Sequence, residues 1–287
     1  MCILFLHTDN NPAPNKYKLI LASNRDESYT RPTRQANFWE EDSRVIGGQD
    51  LEPGREGGSW LALSSQGRIG VLLSVTGENV PNPSLNLGRG FIVTDFVINK
   101  ENESQEKYLE RLSEDGYKYN PFNFVSISIC PENIDICQIS NGAGFSKIPE
   151  KVGTGTKGWG NSIPGNPFRK VSAGTARFKE IIEAHGNTEN KDILIQELLS
   201  LLKWNKSHLP DPELEQRLAK RVPYEVEKIS SIYFAIPERG YGTRTHSMIL
   251  IDAQGQVEFL EWTMKDPINP LNPVWLHVRH SCQLNSL

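Results

Sequence analysis

Apolar runs of β-strand length recur in three groups along this 287-residue chain, and two helical stretches separate the groups. That alternation restricts the chain to folds in which sheets pack against helices. Residues 2–7 and 17–23 read as strands around a loop at 8–16 that holds two prolines and three asparagines. Residues 59–65 and 68–74 flank Gln66-Gly67 as a hairpin would. Helical spacing follows at 88–100 and 103–114, where Phe91, Thr94, Asp95 and Ile98 mark a partly amphipathic face. The second group, 123–130 and 134–140, surrounds Pro131-Glu132-Asn133. A glycine-rich stretch at 153–165 reads as a flexible loop, and helices are expected at 167–185, 191–203 and 211–220. Strands at 229–236, 246–252 and 256–263 complete the order. Neither a linker-like boundary nor an internal repeat appears, so a single α/β domain over 1–287 is expected.

Charge and composition exclude several classes of function. Lysine and arginine total 31 against 35 acidic residues, a net charge of −4, which suits neither a nucleic-acid binder nor a polybasic membrane binder. Four cysteines are too few for a disulfide scaffold. No apolar run approaches the ~18 residues of a membrane span. The apolar start breaks at His7-Thr8-Asp9-Asn10, too early for a secretory h-region, and no basic n-region precedes it. The reading is a cytoplasmic, non-secreted protein with reduced thiols, with an association with mitochondria or other organelles left open. The glycines of Gly153 to Gly160 fit neither the P-loop nor the Rossmann spacing. Zinc is not expected, because no C-x-x-C pair exists and His277-x-x-His280 lacks a third ligand.

The tetrapeptide Asn24-Arg25-Asp26-Glu27, with Cys2 directly after the initiator Met, resembles the NRDE family, and within it the transport and Golgi organisation protein 2 family. Further matching segments are Arg31-Pro32, Glu56-Gly57-Gly58-Ser59-Trp60-Leu61, Gly88-Arg89-Gly90, Asn161 through Asn166-Pro167-Phe168-Arg169-Lys170, and Tyr241-Gly242-Thr243-Arg244-Thr245. The resemblance implies a four-layer αββα sandwich like that of the N-terminal nucleophile hydrolases. It also implies a place for a catalytic set: nucleophile Cys2, helper acid Asp26, oxyanion donor Asn161 and a later arginine at Arg244. In such enzymes the α-amine freed by loss of Met1 takes the thiol proton. Two positions depart from the pattern. Ser23 stands where the branch has arginine, and Ser74 where relatives carry a second oxyanion asparagine. One missing oxyanion donor costs roughly 10²–10³ in rate, so the enzyme reading stays open rather than chosen.

The resemblance also implies haem as a transported cargo, taken from storage sites and delivered to haem-accepting proteins. Asn24, Arg25, Asp26, Glu27, Trp159, Arg244 and His246 are the candidate ligand-binding residues, with an arginine near the propionates and an exposed Trp159 lying against a flat apolar ring. Candidate axial ligands are His246, the paired His277 and His280, and Cys130 of a Cys-Pro dipeptide, with Met264 a further soft donor. Haem and an acyl chain are both apolar bodies with anionic ends. A lipid or acyl-CoA carrier linked to lipid homeostasis and a Cys2-dependent amidohydrolase or acyltransferase therefore stand as alternatives. No nucleic-acid partner is expected.

Overall fold

The computed structural model describes residues 2–77, 87–142 and 148–285. The chain divides into two compact units, one formed by residues 1–30 with 154–282 and the other by 31–153 with 283–287. Each holds a seven-stranded sheet among the described residues, with antiparallel pairings, and each carries helices. The class is thus mixed α/β with two antiparallel sheets and helices, the constituents of an αββα sandwich.

The second unit is built from seven consecutive strands. β3 (Thr33–Phe38), β4 (Val45–Asp50), β5 (Leu61–Ser64), β6 (Arg68–Ser74), β7 (Phe122–Ile129), β8 (Ile134–Ser140) and β9 (Glu150–Val152) pair in chain order as a meander. Short turns of the kind expected at Gln66-Gly67 and at Pro131-Glu132-Asn133 allow it. Two helices, α1 (Gly90–Ile98) and α2 (Gln105–Asp115), bury Ile92, Val93, Phe96 and Val97, and Tyr108, Leu109 and Leu112. These meet Ala62, Phe124, Cys137 and Ile139 of the sheet. The buried stripe of α1 therefore lies beside the one suggested by Phe91, Thr94, Asp95 and Ile98. The larger apolar side chains decide which face turns inward.

The first unit orders its strands β10 (Gly155–Trp159), β1 (Ile3–Thr8), β2 (Tyr17–Ser28), β12 (Tyr241–Asp252), β13 (Gln256–Met264) and β14 (Trp275–Gln283), with the short β11 (Ala235–Ile236) on β12. Ile3, Phe5, Ile20, Ala22, Met248, Leu250 and Leu260 alternate onto one face. Against that face pack α3 (Arg169–His185) and α4 (Lys191–Leu202), through Val171, Phe178, Leu194, Leu198 and Leu201. Two short helices, α5 (Pro212–Arg217) and α6 (Pro223–Ile229), each begin with proline at the first helical position.

Three expectations change. The glycine-rich stretch is not a free loop: Gly155–Trp159 is β10, hydrogen-bonded to β1. Its glycine at 158 is required by packing, since a Cβ there would lie 2.0 Å from Thr175 Oγ1 of α3. Residues 229–236 are not a strand. α6 runs to Ile229, and only Ala235–Ile236 pairs with β12. Finally, the strand order does not end at 263: Trp275–Gln283, which carries His277 and His280, forms β14. No helix among the described residues is long and apolar enough to cross a membrane.

Candidate functional site

The Asn24–Glu27 tetrapeptide lies inside a strand rather than at the end of one. β2 continues to Ser28 because β12 supplies partners opposite it: Asn24 faces His246, Arg25 faces Thr245, Asp26 faces Thr243 and Glu27 faces Gly242. The register shifts between Thr243 and Thr245, so Arg244 is the extra residue of a β-bulge. Asn24, Arg25 and Asp26 are all buried, with relative exposures of 1%, 6% and 4%. Buried charges require partners, and the alternation of the strand sorts those partners onto two faces.

Asn24 and His246 share the helix-covered face with the Ala22–Met248 pair. Asn24 Nδ2 donates to the carbonyls of Leu202 (2.8 Å) and Ile232 (3.1 Å), tying β2 to the end of α4 and to the segment before β11. Its Oδ1 is therefore an acceptor, and His246 Nδ1, 2.6 Å away, carries the proton. The His246 ring stacks on Trp275 at 4.7 Å and 14°, with Tyr233 at 6.0 Å. Burial pushes the imidazole pKa down to about 3, so His246 is neutral.

Arg25 and Glu27 alternate to the opposite face. Extending the β1–β2 register by one residue beyond Ile3–Asn24 places Cys2 across from Arg25. The bulge brings Arg244 to the same neighbourhood. Its guanidinium is fully buried, with Nη1 donating to Ser28 O (2.9 Å) and Nη2 to Asp266 Oδ1 (3.2 Å), a carboxylate 47% exposed. Burial lowers the Arg244 pKa, and the like charge of Arg25 adds to the effect. Cys2 is half-buried. Its Sγ reaches Asp26 O at 3.9 Å, and burial raises the thiol above its ordinary value. This face carries two guanidinium groups, the Glu27 and Asp266 carboxylates whose charges act on Arg244, and the Cys2 thiol held protonated by burial.

Asp26 returns to the helix-covered side. Burial raises its carboxyl pKa, against the charge of Lys170 and a hydrogen bond from the Thr243 side chain. Tyr241 Oη donates to Asp26 O at 3.2 Å, and burial holds that phenol well above its usual range.

The remaining candidates are scattered. Asn161 is fully buried just past β10. Trp159, expected to be exposed, is 8% exposed, because the backbone of β10 binds it opposite Leu4. Ser23 Oγ donates to Ile3 O (2.8 Å), an internal sheet contact. Ser74 closes β6 and Cys130 begins the turn after β7, both in the other unit. Met264 is buried at the end of β13. His277 stacks on Trp262 at 4.3 Å. His277 and His280 do not form the close imidazole pair expected of them: three residues apart in a strand, they point to opposite faces. Met1 lies outside the described residues. Among the described residues no three His, Cys, Asp or Glu side chains are grouped to hold a metal ion.

Sequence reasoning missed Lys170 as a site residue. It stands in the first turn of α3, where the helix dipole disfavours a cation, and that misplacement was the available signal.

Comparison with known proteins agrees with the residue pattern. The family model for Transport and Golgi organisation 2 matches residues 1–266. Transport and Golgi organization protein 2 of Drosophila melanogaster is 42% identical over 272 residues, covering 92% of each chain. The Homo sapiens homolog is 36% identical over 271 residues, 93% of this chain and 94% of that one. Among solved structures, a variant of conjugated bile acid hydrolase from Clostridium perfringens aligns with 100% of this chain and 93% of its own, at 9% identity and a TM-score of 0.43. An N-acylethanolamine-hydrolyzing acid amidase ortholog from Caenorhabditis elegans aligns with 87% and 92%, at 7% identity and a TM-score of 0.39. By the match along its length and its identity to curated relatives, the chain belongs to the Transport and Golgi organisation 2 family.

Proposed function

We propose that this protein is an intracellular haem carrier, which takes haem from storage sites and hands it to haem-accepting proteins. The observation that carries the reading is the bulge at Arg244. It sets a fully buried guanidinium beside that of Arg25, on the face that also holds the Cys2 thiol. A ligand with paired acid groups competes with the Glu27 and Asp266 carboxylates for these guanidinium groups, and haem offers two propionates on one edge of an apolar disc. Asp266 is half-exposed and accepts from Arg244 Nη2 at 3.2 Å, and an incoming carboxylate competes for the same donor. A carrier must also release its cargo. A protonated thiol is a weaker ligand for iron than a thiolate, which suits loose holding at Cys2. His246 belongs to the other face of the sheet from the arginine pair, so it does not serve as axial ligand to a haem whose propionates those arginines meet.

The test is a haem titration of ligand-free protein followed by mixing with an apo-globin. Binding near one haem per chain is expected, with transfer faster than from a control haem protein. Arg244→Met is expected to weaken binding by about ten- to a hundredfold, the loss of one charged hydrogen-bonding partner of about 1.5–3 kcal/mol. Non-saturable binding, or unchanged affinity in the variant, would sink the haem reading. A long-chain acyl-CoA that binds the same protein and loses affinity in Arg244→Met would assign the arginine pair to a lipid carrier instead.

A further inference from the structure

The hairpin that joins β13 to β14 is apolar where it is most exposed. Leu271 and Val274 are 83% and 58% exposed, the two highest values among the large apolar side chains described in the unit that bears the arginine pair. Leu276, also exposed, follows them in β14. Single apolar side chains on a surface are ordinary, but here the charges are missing as well. Between Asp266 and His277 no position carries an ionisable side chain, although 23% of the chain is charged. Open backbone donors are scarce too. Pro267, Pro270 and Pro273 have no N–H. Leu271 N donates to Asn269 Oδ1 at 3.1 Å, and Asn272 N to Asn269 O at 3.2 Å. The base is closed by Lys265 N, which donates to Val274 O at 2.8 Å. Its second arm is held by Trp275, half-buried and stacked on His246 at 4.7 Å.

These features discriminate between occupants. A protein partner commonly takes hold of an extended segment through its backbone groups. The apolar layer of a membrane offers no such groups, so a segment that enters it must have its donors bonded or removed beforehand. An uncharged, proline-rich tip with exposed leucine and valine fits the second case. We propose that the tip of the β13–β14 hairpin is a lipid-docking loop, which seats Leu271 and Val274 in the interfacial layer of a membrane. The exposed Lys265 at its base then stands at the level of the lipid phosphates, and Trp275 stands where indole rings favour the boundary. Burial of apolar surface drives the docking, so a net charge of −4 does not oppose it. Asp266, beside Lys265, is the carboxylate that accepts from Arg244, so the docking loop and the arginine pair share one hairpin base. The use of that adjacency, loading an apolar cargo at a membrane, rests on the carrier reading above; the docking does not.

The experiment mixes the purified chain, without haem, with vesicles of phosphatidylcholine and separates bound from free protein by flotation. The wild type is expected to float with the vesicles. Leu271→Asp is expected to lower the partition coefficient about ten- to a hundredfold, the apolar contribution of one leucine. Leu271→Phe is expected to keep it within about threefold of the wild type or to raise it. Because Leu271 is exposed, thermal melting of both variants is expected to match the wild type, which separates lost docking from lost folding. A wild type that stays with the soluble fraction would overturn the proposal, as would a Leu271→Asp that floats equally well. Self-association of the wild type without vesicles, abolished in Leu271→Asp and with no flotation of either, would assign the tip to a second copy of this chain and overturn the proposal equally. No haem enters the assay, so its failure leaves the haem titration standing, and failure of that titration leaves the docking loop standing.

Discussion

Valine at position 174 is expected to prevent folding of the unit that carries the site. Gly174 lies in α3 where the helix crosses β1, and a Cβ there would sit 2.3 Å from Phe5 Cζ and 2.8 Å from Ile232 Cδ1. Phe5 cannot yield easily, since it is fully buried and stacked on Phe178 at 5.7 Å. Alanine in a helix gains about 1 kcal/mol over glycine in propensity. Overpacking a dense core costs typically 1–3 kcal/mol for added methylene groups, and more when a ring is displaced. Gly174→Ala is therefore expected to lose about 1–2 kcal/mol net, and Gly174→Val to yield no cooperative thermal transition. Urea melts followed by circular dichroism read both. A Gly174→Ala variant as stable as the wild type would show that α3 can lift from the sheet, and the close packing inferred for Gly158 and Thr175 would fall with it.

The second large effect is an acid sensitivity traceable to His246. Its folded-state pKa lies near 3, well below the ordinary histidine value near 6.5. A buried neutral imidazole binds fewer protons than the unfolded chain does between those values. Stability from this group is therefore complete above about pH 6.5 and falls by about 1.4 kcal/mol per pH unit below it, down to about pH 3. His246→Gln keeps a donor for Asn24 Oδ1 and removes the titration. The wild type and the variant, compared by denaturant melts at pH 7.5 and pH 5, are expected to differ by about 2 kcal/mol more at neutral pH than at pH 5. Asp26 works in the opposite sense. Burial raises its pKa, so its contribution improves as pH falls, and comparison with the variant cancels it. A wild type–variant difference independent of pH would show that His246 is not held neutral.

The same residues show where sequence was legible and where it was not. β1 announced itself as a continuous apolar run because both its faces are buried, whereas β8 and β13 show apolar residues spaced along one face. The tetrapeptide at 24–27 read as a strand end because polar side chains follow an apolar run there. The strand continues because β12, more than 200 residues away, pairs with it, and both faces are buried. No local pattern carries that information. The glycines before Asn161 signalled a loop by composition, yet the glycine at 158 answers to the close approach of α3. Residues 229–236 have β-type composition, but Pro223 opens a helix and the Lys170 ammonium binds its last carbonyl. β14 escaped notice because His277, Arg279 and their neighbours are exposed, and a strand at a sheet edge need not look apolar. Cys2, Arg25, Asp26 and Arg244 were singled out by resemblance. That the strand divides Arg25 from Asn24, and that a bulge admits Arg244, only the register could tell.

The site-bearing unit is assembled from two separated stretches of chain, residues 1–30 and 154–282, with residues 31–153 of the other unit encoded between them. A ribosome therefore delivers β1 and β2 long before β12, which lies against β2 in the finished sheet. The meander of 31–153 pairs neighbours in chain order and can close as it emerges. The β2 edge, carrying the buried Asn24, Arg25 and Asp26, must wait for most of translation. During that interval its apolar residues are open to wrong partners, so chaperone demand and loss during biosynthesis are concentrated in the first thirty residues, irrespective of how stable the completed protein is.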